Sequence, residues 1–128
     1  MKQTFANIPG LTVRVDNVMY VPSLEAPEDK PFAFVYFISI LNNSDEAVTI
    51  KGRKWVVTEA DGEVTVVEGV GVVGETPRIV PEEEFTYNSY HVIKHDAEVE
   101  GALFGRTDGG DIFSVRIPDF SLRLPLSD

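Results

Sequence analysis

The stretch Glu68-Gly69-Val70-Gly71-Val72-Val73-Gly74-Glu75-Thr76-Pro77 decides between two fold classes. Its Gly-x-Gly-x-x-Gly spacing can hold a pyrophosphate when a strand runs into a helix whose N-terminal N–H groups face the anion. The spacing therefore counts only if a helix opens at the glycines. The chain continues instead as Glu75-Thr76-Pro77-Arg78-Ile79-Val80-Pro81. Two prolines this close leave no room for a helix interior, and residues 75–81 lack a 3.6-residue apolar period. Glu68 and Glu75 place negative charge at both ends, which repels an anion. The glycines read as backbone devices, supplying positive φ or close approach in a long bulged loop.

The flanking segments alternate at period two. Upstream, Ala47 to Ile50 and Arg53 to Glu59 form a strand or strand pair with Gly52 as a bulge, and Asp61-Gly62 turns the chain into Glu63 to Val67. Phe32 to Leu41 is apolar on both faces, with Phe34, Tyr36, Ile38 and Ile40 on one and Val35, Phe37 and Leu41 on the other. That marks a central strand. Asn42-Asn43-Ser44-Asp45 is a turn, and Pro22 to Pro31 is a loop by composition. The first strand places Val13, Val15, Met19 and Val21 on one face, interrupted at Asn17 by a bulge or edge position. Residues 1–11 are a loose lead-in.

Downstream, Pro81-Glu82-Glu83-Glu84 turns into a strand over Phe85 to Ser89. Val99 to Arg106 and Asp111 to Ile117 form a hairpin across Thr107-Asp108-Gly109-Gly110. Pro118 stops the second arm, and Phe120 and Leu122 tuck the tail back. The sum is about seven short antiparallel strands and no helix, an all-β immunoglobulin or fibronectin type III-like β-sandwich. The 128 residues fit a single domain.

Composition excludes several chemistries. Without cysteine there are no disulfides, thiolate zinc sites or cysteine nucleophiles. No Gly-x-Ser-x-Gly occurs, and neither histidine has an evident serine partner, so no catalytic residue is assigned. A net charge of −10 disfavours nucleic acid and anionic membrane as partners. Lys51, Arg53 and Lys54, a small basic cluster, read as a solvated strand face. Met1-Lys2-Gln3-Thr4-Phe5 carries no apolar signal core, and a cytoplasmic protein is expected.

His91 and His95, with Asp96 and Glu98 nearby, form the one metal-like set. On a strand, four residues separate them by about 13 Å, too far to share an ion. They read as exposed loop histidines, and no metal or other cofactor is assigned. The acidic turns at Glu82-Glu83-Glu84, Asp108 and Asp111 read as solvated. Arg53 and Trp55 share a strand face, with Trp55 in the core and Arg53 stacked on it or capping the sheet edge.

Several of these segments together resemble a known family. They are Arg53-x-Trp55, Asp61-Gly62, the stretch 69–77, Phe85-x-Tyr87-x-Ser89, and Phe113-x-Val115-x-Ile117-Pro118-x-Phe120-x-Leu122. In order and spacing they are similar to the ApaG domain over roughly residues 12–123. The resemblance implies a fibronectin-type sandwich in a small bacterial protein. It also implies an association with cobalt resistance and magnesium efflux, and a protein-interaction role like that of the domain in eukaryotic F-box proteins. Lys54 stands where the family often has His.

Two functions are expected on these grounds. The first is a non-enzymatic module for protein–protein interaction. A rigid sandwich would present Arg53, Trp55, Gly69, Gly71, Val72, Gly74, Glu75 and Arg78 to an unidentified protein or to a second copy of itself. The second is a small-ligand protein taking a divalent cation, nucleotide or pyrophosphate at the glycine loop or the acidic turns.

Overall fold

A computed structural model describes residues 4–125, so the first three residues of the lead-in lie outside it. The described residues contain no helix, and hence none long and apolar enough to cross a membrane. There are eight strands in chain order: β1 (Leu11–Tyr20), β2 (Phe32–Asn42), β3 (Val48–Glu59), β4 (Val64–Val70), β5 (Arg78–Ile79), β6 (Glu84–Ile93), β7 (Ala97–Thr107) and β8 (Ile112–Leu122). They form two antiparallel sheets. One has the order β1-β2-β6; the other has β4-β3-β7-β8, with β5 pairing β3 beyond the end of β4. The β-sandwich expected from strand periodicity is the fold observed, with β2 central in its sheet.

The core lies between the sheets. Phe34, Tyr36, Ile38 and Ile40 from β2 face Ile50, Trp55 and Val57 from β3 and Leu103 from β7, all buried. β1 lies against β8 and closes one side of the sandwich. On the opposite side β4 and β6 are both sheet edges and share no ladder, so that side is open.

Bulges account for the departures from simple alternation. The β1–β2 register shifts between Val15 and Asn17. A one-residue slip swaps the faces of a strand. Val18 and Tyr20 therefore pack on the core, and Met19, expected on the inner face, is 44% exposed. β3 is one continuous strand with its bulge between Ile50 and Gly52. Pro118 does not stop β8. The β7–β8 register passes from Gly101↔Ile117 to Val99↔Phe120, so Pro118 and Asp119 form a bulge and pairing resumes. β8 is an edge strand, where a missing N–H is tolerated. β6 runs beyond Ser89 to Ile93, and two-residue β5 is too short to show as a periodic run.

Candidate functional site

The glycine stretch is a hairpin. β4 ends at Val70, and the Gly71 N–H donates to the Lys51 carbonyl at 2.8 Å. Val72 and Glu75 then exchange two bonds, N–H to carbonyl, at 2.8 and 2.9 Å. Between them Val73 (φ 43°) and Gly74 (φ 81°) both have positive φ, the signature of a two-residue type I′ turn. A Cβ on Gly71 (φ 66°) would overlap the Glu75 carbonyl. A Cβ on Gly69 would lie 2.7 Å from the Arg53 guanidinium, so this glycine makes room for that side chain. Arg53 Nη1 donates to the Val70 and Gly71 carbonyls at 3.1 Å each and ties the loop down. No helix opens here, and the N–H groups of Gly71, Val72 and Glu75 are used by protein carbonyls. The loop thus lacks the anion cradle that the spacing alone would suggest.

The remaining expected surface residues separate. Trp55 is 1% exposed and Val72 is fully buried, so both are core residues rather than surface anchors. Gly74 and Glu75 sit exposed at the hairpin tip. Arg78 is exposed and forms a bidentate pair with Asp108, on the β7–β8 turn. Arg53, Gly69 and Gly71 are the members brought into contact. Of the two placements expected for the guanidinium, stacked on Trp55 or capping the sheet edge, the hydrogen bonds are those of the second: it is held by carbonyls at the end of edge strand β4.

At the open side, the inward face of β3 meets that of β6. A cleft of about 440 Å³ lies there, lined by Lys30, Tyr36, Arg53, Trp55, Thr65, Ser89 and His91 among others. His91 is not the exposed loop residue expected from sequence. Phe85, Tyr87, Ser89, His91 and Ile93 alternate inward along β6, and His91 is 8% exposed. Its ring stacks on Tyr36 (centroids 4.8 Å apart, 27° between planes) and meets Trp55 edge-on (5.1 Å, 77°). Burial lowers its pKa to about 4, so the imidazole is neutral at neutral pH. Burial raises the Tyr36 phenol, against the opposing pull of Ser89 and Arg53, and raises the neighbouring Tyr87 phenol as well. His95 lies in the next turn, 3.5 Å from Asp61. Among the described residues no three His, Asp or Glu side chains converge as a metal set.

Below the cleft, Glu59 is buried at the end of β3. It accepts from the Lys94 and His95 N–H groups at 2.8 and 2.9 Å and from the Lys30 ammonium at 3.1 Å. Burial alone would raise this carboxyl; these donors outweigh it and hold the pKa below the ordinary value. Glu59 did not stand out in the linear sequence, and His91 stood out only as one of a metal-like set, not as a buried cleft residue. The signal for His91 was the inward alternation of β6, which continues unbroken past Ser89. On the outer side of the hairpin, Val64, Val66 and Val70 of β4 are 54%, 52% and 81% exposed, and Val73 at the tip is 47% exposed.

A two-sheet antiparallel sandwich with a carbonyl-tied glycine hairpin on an open edge defines the structural class. The sequence profile of the ApaG domain matches residues 22–106. Protein ApaG of Shewanella loihica is 39% identical over 98% of this chain and 97% of its own length. Protein ApaG of Vibrio cholerae is 38% identical over 93% and 94% respectively. The crystal structure of a putative ApaA protein from Bordetella pertussis superposes with a TM-score of 0.80 at 30% identity, covering 91% of this chain and 95% of that one. The chain belongs to the ApaG domain family.

Proposed function

We propose that this chain is a non-enzymatic interaction module whose docking edge is β4 and the glycine hairpin. The observation that carries this reading is the row Val64, Val66, Val70 and Val73, four exposed valines on an edge strand and its tip, with Glu68 between Val66 and Val70 paired to Lys54. Soluble proteins blunt free edges with charge, proline or covering loops. An edge this rich in exposed valine, its one acid Glu68 already paired, is a surface for strand addition by an extended segment of another protein, with main-chain bonds giving affinity and the valines giving contact area. Arg53 and Gly69 support the reading, because they hold the hairpin rigid before a partner arrives. The family's link to cobalt and magnesium is then exerted through that partner.

The test is affinity capture from the host lysate, read by mass spectrometry, with wild type beside Val66→Glu and Val70→Glu. Both substitutions fall on the solvent face and leave the core intact. A partner captured by wild type and lost from both variants, with melting unchanged, is the expected result. Identical captured sets from all three proteins would overturn the assignment of this edge.

A further inference from the structure

The cleft on the open side carries more polar chemistry than imperfect packing leaves behind. Its 440 Å³ is in the range of small-molecule sites. Arg53 is half-buried, forms no ion pair with any described carboxylate, and donates only through Nη1 to two carbonyls. In a chain with 21 acids against 11 bases, an inward guanidinium without a carboxylate is charge left open. Two buried side-chain polar atoms lack any partner among the described residues: His91 Nε2 and Tyr87 Oη. Of the two, His91 lines the cleft; Tyr87 faces inward on the same strand, one inward position beyond Ser89. Buried polar atoms are nearly always answered, by protein, water or ligand.

The rest of the lining sets the ligand's character. Tyr36, Ser89 and Thr65 line the same cleft as Arg53, the Thr65 hydroxyl accepting from the Lys30 ammonium at 3.1 Å, and Trp55, Val57 and Val67 supply apolar wall. Lys30, the second cation, is already paired with Glu59 at 3.1 Å and Glu63 at 3.7 Å. One open positive charge beside two committed glutamates suits a single negative charge and disfavours a dianion. The planar guanidinium fork matches a carboxylate.

We infer that this cleft binds a small monocarboxylate with an apolar body, its carboxylate on Arg53 and its body against Val57, Val67 and the edge of the aromatic cluster. His91 Nε2 meets a second polar atom of the ligand or a bound water. The cleft lies behind the docking edge and shares Arg53 and β4 with it, but ligand binding there does not rest on that edge having a partner.

Trp55 is the single tryptophan and lines the cleft, so its fluorescence reports occupancy. The full chain is titrated with phenylacetate, its neutral analogue phenylacetamide, and inorganic phosphate. Saturable change with phenylacetate is expected below about 10 mM, the weak end of specific affinity. The amide should bind at least about tenfold more weakly, since it lacks the charge-assisted pair. Amide shifts in a ¹⁵N-resolved spectrum should cluster at residues 53–57, 65–67 and 89–92. Arg53→Gln should weaken binding about tenfold or more. Because Arg53 also holds the hairpin, Ser89→Ala, which leaves the hairpin untouched, should weaken binding with melting unchanged. Absence of saturation, equal binding of the amide, preference for phosphate, or shifts elsewhere would each overturn the assignment.

Discussion

Val73 sits at φ 43° in the first central position of its turn, a place for Asn or Gly. The left-handed region costs an L-residue about 1–2 kcal/mol, and β-branching adds crowding. Val73→Asn should therefore stabilise the protein by about 1 kcal/mol in denaturant unfolding. No gain would mean that the turn relaxes out of type I′ in solution. Gly71 makes the opposite case. Alanine there meets both a positive φ and the Glu75 carbonyl, so Gly71→Ala should cost about 2 kcal/mol or more. Gly62 in the β3–β4 turn also has positive φ (91°), but nothing lies within 4 Å of an added Cβ. Gly62→Ala should cost only about 1 kcal/mol. Equal losses at the two sites would show that the Glu75 carbonyl moves aside without penalty. That these glycines are backbone devices was legible in sequence, because Pro77 and Pro81 exclude a helix. That Val72 is buried was not, since its inward direction depends on where the I′ turn places its two partners.

At the scale of elements, periodicity marked most strands, and its failures have local causes. A bulge at residue 16 reversed the inner face of β1 after Val15, so Tyr20, not Met19, packs on Phe34. Pro118 looked like a terminator because a central strand would not accept it; on edge strand β8 it became a bulge. Glu59 shows how one side chain can couple elements far apart in the chain. It joins the end of β3 to the β6–β7 turn and to Lys30 in the β1–β2 loop. Its geometry was illegible in sequence because every donor is long-range. Glu59→Ala leaves two N–H donors and the ammonium without their acceptor, and should cost about 3 kcal/mol in chemical unfolding. Glu59→Gln keeps a carbonyl acceptor and should lose less. A loss under about 1 kcal/mol for the alanine variant would show that water replaces the carboxylate at no structural cost.

The molecule as a whole is asymmetric: β1 and β8 close one side, while β4 and β6 leave the other open over a cleft of aromatic rings and buried polar groups. That asymmetry depends on how two sheets diverge, which no local pattern encodes, so the cleft was not legible in sequence even though its strands were. It has a thermodynamic consequence at mildly acid pH. His91 titrates near 4 when folded, because burial disfavours its charge, against an ordinary value of 6.5. Between these values the unfolded chain binds a proton that the folded chain does not, so stability must fall as pH falls. From pH 7 to pH 5 the loss should be about 2 kcal/mol. The Glu59 carboxyl has its pKa depressed, so its contribution is intact above its unfolded value of 4.5 and is lost only below that. The interval from pH 7 to pH 5 therefore lies above the Glu59 transition, and comparison with a His91 variant assigns the decline to His91. His91→Phe keeps a ring between Tyr36 and Trp55 and removes the proton site. Its unfolding free energy should be nearly flat over this interval while wild type declines. Parallel slopes for the two proteins would mean that water reaches the His91 imidazole in solution and that the cleft admits solvent to its floor.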